Sequence, residues 1–203
     1  MSMLFSVDFH GVGLTADGAA QAMCDPLCGY QLPQDGRAVR RVALDDGRVW
    51  QTLDTEGHTI IMSPALTLAE NVTLAMVARA LRSAGMETPD GCGLWLAIPV
   101  ELETGARLPA WGEWAAPHMR AGLGVERFEI TVKRDDVRGR DIANVNYLPA
   151  TLNGARLMSL VRLGLALVKK ATMARAPVKS PATVADLFTA LGVDKRLAKG
   201  VVG

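Results

Sequence analysis

The dipeptide Asp46–Gly47 stands between two stretches, residues 38–44 and 48–53, that both read as strands. Aspartate and glycine tolerate the positive φ of a tight reverse turn, so the pair predicts a β-hairpin. Hairpin strands are antiparallel, whereas parallel strands need long crossovers. The hairpin therefore argues against an all-parallel, doubly wound sheet. Upstream, Phe5, Val7 and Phe9 alternate with Ser6, Asp8 and His10, the period of a half-buried strand. A short helix is expected over Asp17–Met23, stopped at Pro26. Glu56–Gly57 marks a second turn, and His58–Met62 the next strand. Thr67 and Glu70 have the spacing of a capping box, opening a helix that runs to about Ala84 and stops at Gly85. Leu94–Val100 then reads as a strand. With one strand set aside, the order β-α-β-β-α-β is the ferredoxin-like pattern. The expected class is α+β: a ferredoxin-like antiparallel sheet with helices on one face, burying Phe5, Val7 and Phe9.

The later part is expected to add a strand and helices packed on that sheet. Residues 101–124 read as a Gly/Pro-rich connector carrying Trp111 and Trp114. Phe128, Ile130 and Val132 alternate with polar residues as a strand, and Lys133–Asp141 reads as a charged loop. Asn153 caps an apolar helix to Thr172, on which Arg156, Ser159, Arg162, Lys169 and Lys170 share a narrow arc. After a Pro/Lys linker, Thr183 caps a helix ending at Gly192. A chain of 203 residues suffices for one large domain or two small ones. The division expected from composition is an acidic region, 1–103, and a basic region, 104–203, either separate or forming one continuous domain.

Gly11, Gly13 and Ala16 have the spacing of a dinucleotide fingerprint. That motif needs a buried parallel strand before it and a second one after it. Here the strand alternates and a hairpin follows, so the glycines read as a tight strand-to-helix bend and no cofactor is expected. Asp8 and His10 share one face of the strand and are the candidates for a catalytic pair. Cys24, Cys28 and Cys92 lack the spacing of a zinc ribbon or a disulfide framework, so no metal is expected and a reducing, cytoplasmic setting is. No nucleophile elbow, phosphate loop or metalloprotease helix occurs, so enzymatic chemistry has no motif behind it. The longest apolar run, Leu157–Val168, contains Arg162 and is too short to span a bilayer.

The net charge of +1 conceals a split. Residues 1–103 carry six basic and thirteen acidic side chains, a net −7, and residues 104–203 carry sixteen and eight, a net +8. Such asymmetry points to an anionic partner for one half, or to contact between copies. The leading expectation is a non-catalytic subunit of a larger assembly that contacts RNA or DNA backbone through its basic half. Arg127, Lys133, Arg134, Arg138 and Arg140 would neutralise phosphates, with Lys169, Lys170 and Arg175 extending the track. The acidic half would face a protein neighbour. The alternatives are a self-assembling, virion-like or filament-like protein with head-to-tail acidic and basic contacts, and a small enzyme using Asp8, His10 and the glycine turn.

Overall fold

The architecture, taken from a computed structural model, is α+β. It describes residues 3–34, 38–89, 92–105, 107–137, 139–149, 154–194 and 196. The chain separates into two compact units, Met1–Trp95 with Thr151–Gly154, and Leu96–Ala150 with Ala155–Gly203.

In the first unit, β1 (Ser6–Gly11) leads into α1 (Ala16–Leu27), followed by a short β2 (Tyr30–Gln31), β3 (Val39–Ala43), β4 (Val49–Thr55) and β5 (His58–Met62). A 3-10 turn, Leu68–Glu70, precedes α2 (Asn71–Ser83), and β6 (Gly93–Val100) begins here and crosses into the second unit. The strands run in the order β2-β3-β4-β5-β1, with the start of β6 beside β1. The pairings from β2 through to β1 are all antiparallel. Gly47, at φ 83°, turns the chain between β3 and β4 as the Asp-Gly pair predicts. Helix α1 packs on α2 and over β3 and β4. Beneath it Val7, Phe9, Trp50, Thr52 and Ile61 have no accessible surface. The alternation of β1 thus divides it as expected: odd residues under the helices, Ser6, Asp8 and His10 on the other face. Ala16, Ala19 and Ala20 line the buried side of α1 and let it lie close to the sheet. Burial of a side chain the size of Phe9 stabilises by about 2–3 kcal/mol.

Two local expectations need correcting. Helix α1 continues past Met23, with Pro26 inside its last turn, and ends at Cys28 in the left-handed conformation, φ 49°. The Thr67–Glu70 box forms on one side only. Glu70 accepts from the backbone and hydroxyl of Thr67, but the hydrogen-bonded turn it closes is 3-10, and α2 starts at Asn71.

In the second unit, α3 (Leu102–Gly105) and α4 (Leu108–Leu123) precede β7 (Val125–Asp135) and β8 (Arg140–Pro149), and α5 (Gly154–Met173) and α6 (Val184–Leu191) follow. The strand order is the end of β6, then β8, then β7. The stretch read as a Gly/Pro connector is therefore largely a helix. Pro109 occupies the first turn of α4, where a missing N–H costs nothing. Gly112 lets the helix approach β7 closely, since a β-carbon there would lie 3.0 Å from Ile130 Cβ. The region around the charged loop is a hairpin, β7 and β8 pairing through Asp135 and Arg140. Helix α6 matches its expected start and stop, with Thr183 and Asp186 closing a reciprocal capping box and Gly192 at φ 66° ending it. Among the described residues no helix is long and apolar enough to cross a membrane.

Candidate functional site

The glycine turn is explained by packing. Val12 and Glu87 exchange backbone hydrogen bonds of 2.9 Å, which brings the turn after β1 against the turn after α2. Gly13 has φ 83°, and a β-carbon on it would lie 2.6 Å from Gly85 O. The N-terminus of α1 is likewise occupied from within. Thr15 caps it by accepting from Gly18 N, and Asp54, reaching across from β4, accepts from Ala16 N at 2.7 Å. A carboxylate there satisfies an orphan donor and the positive end of the helix dipole. The place a phosphate would take is filled by the protein's own anion. A pocket of about 320 Å³ adjoins the turn, lined by Val12–Thr15, Asp54, Thr55, Gly57, His58 and Thr59.

The opposite face of the sheet brings together residues far apart in sequence. His10 on β1 has His58 of β5 on one side and Trp95 of β6 on the other. The rings are nearly parallel, 22° and 18° apart, with centres 5.2 and 5.1 Å apart. His10 Nδ1 and His58 Nε2 are 3.2 Å apart. That distance plus the two ring radii nearly equals the centre separation, so the imidazoles meet edge to edge.

A chain of hydrogen bonds fixes their protons. Thr55 Oγ1 lies 2.8 Å from the carbonyl of His58, which only accepts, so the hydroxyl proton is used there. The same oxygen, 3.0 Å from His58 Nδ1, must then accept from that nitrogen. His58 is left with a lone pair on Nε2, which takes the proton of His10 Nδ1. The remaining nitrogen of His10, Nε2, is therefore an acceptor.

Burial, and then repulsion from His58, lowers the His10 pKa to about 4. Burial raises that of Asp8, two residues away on the same face, to about 6. An imidazole titrating near 4 is a weak general base at neutral pH. The expected Asp8–His10 pair is thus a pair of acceptors near neutrality, with Trp95 alongside. Among the described residues no group of three or more histidine, cysteine or carboxylate side chains is gathered to hold a metal. His118, the remaining histidine, sits on α4 with its Nε2 against Gly122.

The expected phosphate contacts fall into two sets. On the hairpin, Arg127 donates to Glu129 at 2.8 Å, Arg134 stands 3.9 Å from Asp141, and Arg140 lies directly across from Asp135. Lys133 is exposed on the same hairpin, and Arg138 lies outside the described residues. The second set follows α5. Between Asp141 and Asp186 the chain has no acid and six cations: Arg156, Arg162, Lys169, Lys170, Arg175 and Lys179. Lys169, Arg175 and Lys179 are exposed and Lys170 is half-buried. The segment carrying the last two is pinned down. Trp111 Nε1 donates to Ala174 O at 2.8 Å, and Trp114 Nε1 donates to Lys179 O. Both tryptophans are buried, edge to face, on α4. They hold a basic strap, residues 169–179, in place. Their indoles serve as backbone anchors, a role that neither composition nor spacing signals.

No family model matches the chain, and no curated protein matches it.

Proposed function

We propose that the protein contacts nucleic-acid backbone through the basic strap formed by the last turn of α5 and the segment after it, as a non-catalytic part of a larger assembly. The observation that carries this reading is the pair of indole hydrogen bonds, which presents Arg175 and Lys179 from an ordered backbone in an acid-free stretch. Cations held this way bind phosphates with less ordering cost than cations on a free linker. The hairpin is the weaker half of the expected track, because acids stand beside its arginines. For the first unit we read a ferredoxin-like core in β1, α1, β4, β5, α2 and β6, with β2 and β3 added at one side. The strand order β4-β5-β1-β6 supports that assignment.

The test is anisotropy of a labelled single-stranded oligonucleotide across a salt series. Removing Lys169, Lys170, Arg175 and Lys179 together should lower the slope of log affinity against log salt by about 3, given about 0.7 per lost contact on a single strand. An unchanged slope would sink the proposal. Large salt-sensitive homo-oligomers in the absence of nucleic acid would favour self-assembly instead.

A further inference from the structure

We propose that the sheet face carrying Asp8, His10 and Trp95 is a docking site for an arginine side chain presented by a protein partner. The relay from Thr55 through His58 commits every imidazole N–H inward, so His10 offers only a lone pair. Asp8, on the same face of β1, adds a carboxylate, and Trp95 stands beside His10 with its ring nearly parallel to the imidazole. At this point of the face the side chains of Asp8 and His10 accept hydrogen bonds, beside the flat ring of Trp95. The complement is flat, rich in N–H groups and able to lie against an aromatic ring. Guanidinium meets all three conditions, while a lysine ammonium is a compact, strongly hydrated charge without a flat face.

Charge favours a cation. Residues 1–95 hold six arginines and eleven acids, a net −5. A guanine base also shows neighbouring donors on a flat edge, but it brings its phosphate into that negative surrounding. The site shares no residue with the strap, and it gives the acidic part of the chain a specific use: an arginine-selective contact with a basic protein.

The full-length protein is titrated with two peptides, Gly-Arg-Gly-Arg-Gly and its lysine counterpart, and followed by amide and indole NMR shifts. The arginine peptide should bind at least about fivefold more tightly, consistent with the extra planar hydrogen bonds and ring contact of guanidinium. Shifts should centre on Asp8, His10 and the Trp95 indole. Asp8→Asn should abolish the preference, and it also relieves a buried charge, so the variant is expected to fold. Equal affinity for the two peptides, no binding, or shifts centred elsewhere overturns the proposal. Guanosine monophosphate binding more tightly than the arginine peptide overturns it too, in favour of a base.

Discussion

The ring face of the first unit and the strap of the second are both built from aromatic and polar side chains, put to opposite use. On the ring face His10, His58 and Trp95 lie half-buried on the sheet, and the histidine N–H protons are spent inward along the relay. In the strap the aromatic groups are buried, and their indole N–H groups hold backbone, leaving the lysines and the arginine outward. One arrangement makes a surface of acceptors from rings; the other makes a surface of cations by hiding rings. What an aromatic residue contributes is set by where its polar edge finds a partner. Availability of charge follows the same logic, since the hairpin arginines have carboxylates close by.

The largest effect that tests this contrast is in the pH dependence of stability. His10 binds a proton less readily folded than unfolded, so its share of stability is complete above about pH 6.5 and lost as pH falls to about 4. Asp8 binds its proton more readily when folded. Its share is complete below about pH 3.8 and lost as pH rises through about 6. Asp8 is worth about 3 kcal/mol at full extent and the partly exposed, solvent-screened His10 less, and the two oppose one another over nearly the same range. Denaturant melts should show Asp8→Asn losing stability on acidification from pH 6.5 to 4, and His10→Gln losing it on the rise from 4 to 6. Parallel pH profiles for the two variants would show that the face is not desolvated as described.

A smaller effect is expected at the strap. Trp114→Phe removes one buried donor and leaves Lys179 O without it, costing about 1 kcal/mol in thermal or denaturant melts. Because no charge is lost, its oligonucleotide affinity should fall while the salt slope stays near that of the parent. Equal affinity would separate the anchor from the binding surface. Smallest of all, Thr55→Val removes the acceptor for His58 Nδ1–H, at a cost of about 1 kcal/mol or less. Its signature is spectroscopic: nitrogen shifts of His10 should show both neutral tautomers in place of one.

Much of the first unit could be read from residues alone. The alternation at Phe5–His10 and the Asp46–Gly47 turn are local signals, and local physics decides them. Helix α4 could not be read this way. Its Pro109, Gly112, Pro117 and Gly122 look like punctuation, yet packing on β7 makes small residues an advantage there. Strand β8 was hidden because Asn144 and Asn146 weaken strand propensity, which pairing with β7 overrides. The ring face was illegible for a different reason. His10, His58 and Trp95 meet only once β5, β1 and β6 are in register, and no spacing along the chain encodes that.

The interlocked turns at Gly13 and Gly85 carry a consequence for how the first unit comes together. They sit far apart along the chain, and the entropy lost in joining them grows only as the logarithm of that distance. Pairing of β1 with β5 and docking of α2 shorten the remaining search before the turns meet. The contact itself sets bare backbone against bare backbone at Gly13 and Gly85, with no side chain on either glycine to cushion a misfit. Because Val12 and Glu87 each hold the other's amide, slow hydrogen exchange at those two protons would report how often this junction of two turns opens.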